Sequence, residues 1–127
     1  MITAETTDRL HLGYRLDAGV AVVTLTGEID VATCELLRAG LLRVVTDEND
    51  RGLVVNLAGV NFMDSTGLGV LVGVWHRLGA RRGTLALAAP SRQIRRVLTG
   101  TGLTKVLAVY DHEADAAQAC RQVARDV

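Results

Sequence analysis

Leu10, Leu12, Tyr14 and Leu16 alternate with His11, Gly13 and Arg15, the two-residue period of a strand with one buried face. Asp17-Ala18-Gly19 carries turn chemistry. Val20-Ala21-Val22-Val23-Thr24-Leu25-Thr26 follows as a second strand rich in β-branched residues, so the two are predicted to pair as a hairpin. The period then changes. After Gly27-Glu28-Ile29, Asp30 offers an N-cap, and Cys34, Leu37, Leu41, Val44 and Val45 recur at helical spacing over about 31–46. A polar loop over 47–52 leads to a five-residue apolar strand, Leu53-Val54-Val55-Asn56-Leu57.

A second helix is predicted over about 66–78, with Val70, Leu71, Val74 and Leu78 along it and an apolar first half that implies deep burial. Gly67, Gly69 and Gly73 each weaken it by up to ~1 kcal/mol relative to alanine. The expected compensation is close approach: core packing for Gly73, a partner's backbone for Gly67 and Gly69. Gly79 is the expected stop. Thr84-Leu85-Ala86-Leu87-Ala88 reads as a fourth strand. Pro90-Ser91 opens a short helix with Ile94, Val97 and Leu98 inward and Arg92, Arg95 and Arg96 outward, ended by Thr99-Gly100-Thr101-Gly102. Val106-Leu107-Ala108-Val109-Tyr110 is a fifth strand. The last helix, about 113–124, has Ala116, Cys120, Val123 and Val127 on one stripe.

The order is β-β-α-β-α-β-α-β-α. Strands separated by helices run parallel through right-handed crossovers. The fold class is therefore α/β: one domain over 1–127 with a core of about 10–126 and a mixed five-stranded sheet. A leading antiparallel strand is followed by parallel strands in sequence order, with four helices mainly on one face. The strand-to-helix loops gather along one edge, where ligand and partner sites also gather. Gly27-Glu28-Ile29-Asp30 and Phe62-Met63-Asp64-Ser65-Thr66-Gly67 are expected to be neighbours there.

The second of these loops carries the candidate chemistry. Asp64, Ser65 and Thr66 stand where a strand hands over to a helix, the place where such residues cap open N–H groups and where a phosphate is tolerated. Two readings are open from spacing alone. The three residues are a helix cap and nothing more, or Ser65 is a modifiable hydroxyl on a recognition surface.

Composition narrows the classes. The formal net charge is zero and aromatic residues make up 3% of the chain, which disfavours nucleic-acid binding on both field and stacking grounds. Cys34 and Cys120 are far apart in sequence with no CxxC, so reduced thiols packed as small hydrophobes are expected, and no metal or cofactor. The first eight residues carry neither a basic start nor an apolar stretch, and no segment approaches the roughly 20 apolar residues of a membrane span. A cytoplasmic protein is expected.

Catalysis finds little support. Met63-Asp64-Ser65-Thr66-Gly67 is not the G-x-S-x-G elbow of a serine hydrolase, and His11, His76 and His112 have no triad spacing. A phosphate-binding loop needs G-x-x-x-x-G-K-[ST], but Lys105, the one lysine, stands before the fifth strand, and Gly100-Thr101-Gly102 is too small a fragment to count. A phospho-aspartate receiver would need a magnesium-holding acidic pair after the first parallel strand, and Glu28 and Asp30 there are not adjacent. The expectation is a non-enzyme. Arg92, Arg95 and Arg96 are read as a solvated helix face.

With Gly27-Glu28-Ile29-Asp30, Asn56-Leu57 and Phe62-Met63-Asp64-Ser65-Thr66-Gly67-Leu68-Gly69-Val70-Leu71 in view, the chain resembles the anti-sigma factor antagonists of the STAS-domain family. The resemblance runs from about Val20 through the last helix. It implies a bacterial partner-switching regulator that, unphosphorylated, binds an anti-sigma factor and so frees a sigma factor for transcription. The implied partner is also a serine kinase of the histidine-kinase-like ATPase fold. That kinase phosphorylates the serine after the aspartate, here Ser65, and a PP2C-type phosphatase reverses it. Thr66 then falls to capping. Partner binding is expected at Glu28, Asp30, Met63, Asp64, Ser65, Thr66, Gly67, Leu68 and Gly69. The alternative within the same fold is a scaffold module of a transporter-associated or stressosome-like assembly.

Overall fold

A computed structural model of the chain describes residues 3–6, 9–48 and 52–125. Its elements in order are β1 (Thr3–Thr6), β2 (Leu10–Asp17), β3 (Val20–Ile29), α1 (Cys34–Glu48), β4 (Gly52–Met63), α2 (Ser65–Gly79), β5 (Thr84–Ala88), α3 (Arg92–Gly100), a 3₁₀ turn (Leu103–Lys105), β6 (Ala108–Tyr110) and α4 (Glu113–Arg125). Ala18 and Gly19 both take positive φ, +51° and +83°, which closes β2 onto β3 as a two-residue hairpin.

The sheet order is β1-β2-β3-β4-β5-β6, with β1, β2 and β3 antiparallel in turn and β3 to β6 parallel. The five expected strands lie in the expected order. The sixth, β1, is added along the outer edge of β2. Thr3-Ala4-Glu5-Thr6 has no apolar alternation to announce it, because an edge strand is held by its ladder of main-chain bonds.

Alternation along the strands sorts side chains to two faces. Ala21, Val23, Leu25, Leu53, Val55, Leu57, Leu85 and Leu87 meet α1, α2 and α3 through Leu37, Leu41, Leu71, Val74, Leu78, Ile94 and Leu98. Val20, Val22, Val54, Ala86 and Ala88 face α4 through Ala116, Ala117 and Cys120. Three helices thus share one face and one takes the other. Burial of a leucine such as Leu71 contributes about 1.5–3 kcal/mol. Glu113 fixes the start of α4 to the sheet, accepting from Asn56 Nδ2 at 3.0 Å and from Arg15 Nη2 at 2.6 Å. Cys120 is buried and desolvation pushes its thiol up to about 11, while Cys34 is half-buried.

Several boundaries depart from the sequence expectation. Segments 27–29 and 58–63, expected as loop, are strand, because they pair with each other in parallel as far as Glu28 with Phe62 and Ile29 with Met63. β2 leaves β3 at Gly27 and β5 leaves β4 at Asn56, so the last residues of β3 and β4 stand out as a two-stranded spur. Gly79 is the last residue of α2 and not its left-handed stop; Arg82, at φ +61°, takes that conformation three residues on. Gly73 is exposed with open space where a Cβ would point, so core packing does not explain it. The fifth predicted strand shortens to β6 because its first residues follow the 3₁₀ turn. Positions 49–51 of the expected loop, Val127 and the side chain of Val123 lie outside the described residues.

Candidate functional site

The spur ends in two turns that meet. The Asp64 N–H donates to the Ile29 carbonyl at 3.2 Å, tying the start of α2 to the end of β3. Gly67 sits against Ile29: a Cβ there would lie 2.4 Å from Ile29 Cγ2 and 3.2 Å from Met63 Cγ. The two loops are neighbours, as expected, and Gly67 is what lets α2 start this close; the close approach expected of a partner's backbone at Gly67 is made instead by this chain's own Ile29.

Asp64 is the N-cap of α2, with extended backbone at φ −109° and ψ −173°. Its Oδ1 accepts from the Thr66 N–H at 3.0 Å and from the Gly67 N–H at 3.4 Å, satisfying two open donors of the first turn. The Thr66 hydroxyl donates to the same oxygen. Thr66 is therefore a donor to the cap, whereas the sequence assigned it the capping role; the carboxylate, an acceptor beside helix N–H groups, takes that position. Ser65 is the first helical residue. Its side chain is exposed and its hydroxyl makes no hydrogen bond to any described residue.

The other wall is a turn stapled by a carboxylate and a guanidinium. Asp30 Oδ1 accepts from the N–H groups of Ala32 at 2.9 Å and Thr33 at 3.2 Å, and Thr33, buried, donates its hydroxyl to the Glu28 carbonyl at 2.9 Å. Arg9 donates from Nε to Glu28 Oε2 at 3.1 Å and from Nη2 to Asp30 Oδ2. Desolvation pushes the Asp30 carboxyl up, but the Arg9 hydrogen bond, the Ala32 N–H and the Arg9 charge outweigh it and hold the group below its ordinary value. The Glu28 N–H donates to the Arg9 carbonyl at 2.8 Å. Gly27, at φ +119°, makes that approach feasible, since a Cβ would fall 2.1 Å from the Arg9 oxygen.

Of the expected partner-binding residues, Met63, Gly67 and Leu68 are buried and shape the site from beneath. Ser65 and Gly69 are exposed, and Glu28, Asp30, Asp64 and Thr66 are half-buried, so these six form the accessible part. Two exposed apolar side chains flank them, Val31 at 72% and Phe62 at 41%. Sequence reading gave neither a role, nor Arg9. Phe62 and Val31 are signalled only by lying beside the two motifs, and Arg9 only once the β2–β3 register is known. His76 lies on α2 eleven residues beyond Ser65, roughly 16 Å along the axis, and is in edge contact with Trp75 at 4.9 Å. Among the described residues no group of three or more His, Cys, Asp or Glu side chains is placed to hold a metal, and no helix is long and apolar enough to cross a membrane.

Comparison with known proteins agrees with this architecture. Residues 14–116 match the family model described as STAS domain. The anti-sigma F factor antagonist of Paenibacillus polymyxa is 32% identical over 98 residues, covering 77% of this chain and 84% of its own. The anti-sigma-B factor antagonist of Bacillus subtilis strain 168 is 36% identical over 85 residues, 67% of this chain and 76% of its own. A crystal structure of an anti-sigma factor antagonist from Mycobacterium paratuberculosis superposes with a TM-score of 0.82 at 33% identity, over 91% of this chain and 97% of that one. The chain belongs to the STAS-domain family, among the anti-sigma factor antagonists.

Proposed function

We propose that this protein is a phosphorylation-controlled partner switch. Unphosphorylated, it binds an anti-sigma factor that is also a serine kinase of the histidine-kinase-like ATPase fold, and a sigma factor is released. The kinase transfers the γ-phosphoryl group of ATP to Ser65 Oγ, the complex weakens, and a PP2C-type phosphatase restores the binding form. The observation that carries the reading is the division of labour among three adjacent residues. Asp64 caps the helix, Thr66 gives its hydroxyl to Asp64, and the Ser65 hydroxyl is left exposed and unengaged.

The switch is electrostatic. A phosphate adds about −1.5 to −2 charges beside Asp64. Within an interface, repulsion and desolvation on that scale cost roughly 2–4 kcal/mol, a loss of about 30- to 1000-fold in affinity. No change of fold is required, because the start of a helix accommodates a phosphate. The contact surface in this reading is Glu28, Asp30, Asp64, Ser65, Thr66 and Gly69, seated on the buried Met63, Gly67 and Leu68.

The test uses the source organism's anti-sigma factor kinases, purified singly. One of them with ATP is expected to add a single phosphate, mapped by mass spectrometry to the peptide containing Ser65, and a PP2C-type phosphatase is expected to remove it. Modification by none of them, or a phosphate mapped elsewhere, contradicts the reading.

A further inference from the structure

The surface beyond Ser65 continues as a groove between α1 and α2. It has a volume of about 250 Å³ and is lined by Arg38 and Leu42 of α1 and by Gly69, Val70, Gly73, Val74 and Arg77 of α2. Gly69 and Gly73 are exposed, and a Cβ at either would meet nothing within 4 Å, so the α2 backbone is bare along one side of the groove. Gly69 is one helical turn from Ser65 on the same side of the helix.

Charge separates the two ends of this face. Near Ser65 each carboxylate is already engaged: Glu28 and Asp30 by Arg9, and Asp64 by the first N–H groups of α2. In the groove the lining holds two arginines and no carboxylate. Arg38 pairs at 2.5 Å with Glu35 of its own helix, while Arg77 is exposed and forms no ion pair with any described residue. The groove is also smaller than the roughly 300–1,000 Å³ of pockets that take drug-sized ligands. Its form, two helices with a bare backbone between them, suits a third helix packed closely against Gly69 and Gly73.

We infer that the α1–α2 groove docks an acidic amphipathic helix of the anti-sigma factor, whose small apolar residues lie on Gly69, Gly73 and Leu42 and whose carboxylates reach Arg77. The inference rests on the partner-switch reading and gives that partner a chemistry. It also fixes the sign of the switch: a phosphate on Ser65, one turn from Gly69, repels an acidic occupant at the mouth of the groove.

The experiment is titration calorimetry of the unphosphorylated chain and its variants against each purified anti-sigma factor kinase of the source organism, with circular dichroism confirming the fold. Gly73→Leu fills the groove and Arg77→Glu reverses its free charge; each is expected to weaken binding at least about tenfold. Arg77→Lys is expected to stay within about threefold, a shift of well under 1 kcal/mol. Gly79→Leu and Arg92→Glu, which alter exposed positions off the groove, are expected to bind as wild type. Wild-type affinity in both Gly73→Leu and Arg77→Glu overturns the groove assignment and leaves the antagonist reading standing. Failure of the wild type to bind any of the kinases overturns that reading and the inference with it. A self-associating chain that Gly73→Leu makes monomeric assigns the groove to a second copy and overturns the acidic helix.

Discussion

Gly67 and Ile29 meet so closely that a Cβ on the glycine would stand 2.4 Å from Ile29 Cγ2. Through this contact the first turn of α2 is pressed onto the end of β3, where the Asp64 N–H also donates to the Ile29 carbonyl at 3.2 Å. Gly27 does the same on the other side, letting the Arg9 carbonyl approach the strand end at a φ of +119°.

Gly67→Ala is accordingly expected to destabilise the protein by about 1–3 kcal/mol, the usual cost of overpacking, and Gly27→Ala by more, since strain at positive φ adds to the clash. Gly73→Ala is expected to move the other way by up to about 1 kcal/mol, because its added methyl meets only open space in a helix. Urea unfolding midpoints of the three variants check this. A neutral Gly67→Ala would contradict the packing argument.

Removal of the cap has a local signature. Asp64→Ala is expected to cost about 1 kcal/mol and to speed amide exchange at Thr66 and Gly67, the two N–H groups the carboxylate accepts. Exchange rates unchanged at both would show that the cap does not hold the turn.

Glu113 predicts how stability responds to acid. Desolvation pushes its carboxyl up, but hydrogen bonds from Asn56 and Arg15, with the Arg15 charge, bring it below the ordinary value. A folded value lower than the unfolded one, about 4.3, contributes stability above that pH and loses it as pH falls through the folded value. Glu113→Gln should therefore flatten the acid limb of the stability–pH curve, measured by urea unfolding from neutral pH downward. Superimposable slopes for wild type and variant would refute the assignment.

The three hydroxyl and carboxyl residues at the start of α2 are separable by mutation. Incubated with kinase and ATP, Ser65→Ala should take up no phosphate, whereas Thr66→Ala should still be modified, since the Thr66 hydroxyl is committed to Asp64. Intact-mass measurement distinguishes the two. Phosphate in purified Ser65→Ala would remove Ser65 from the mechanism.

Much of this architecture is legible in the sequence because periodicity reports burial directly. The alternation at Leu10, Leu12 and Tyr14 and the helical spacing of Leu37, Leu41 and Val44 each match a buried stripe, whereas Leu16, the fourth member of the alternation, is 51% exposed next to the β2–β3 turn. What the sequence hid arises from pairing between distant segments. Residues 58–63 look like a loop, with Ala58, Gly59 and Asn61 among them, and become strand only because β3 lies alongside. The glycines of α2 look alike in sequence, yet Gly67 faces Ile29 while Gly69 and Gly73 face solvent, a distinction that depends on how the helix is rotated. The same holds for Arg9, 19 and 21 residues away from its carboxylate partners Glu28 and Asp30 and brought to them by the β2–β3 register.

The central claim is that charge on Ser65 controls partner affinity. Titration calorimetry against the anti-sigma factor kinase, with circular dichroism as the fold check, compares the unphosphorylated chain, the chain phosphorylated on Ser65, Ser65→Ala and Ser65→Asp. Wild type and Ser65→Ala are expected to bind alike. The phosphorylated chain should bind about 30- to 1000-fold more weakly, and Ser65→Asp, with about half the added charge, should fall between. Equal affinity for the unphosphorylated and phosphorylated chains would contradict the account.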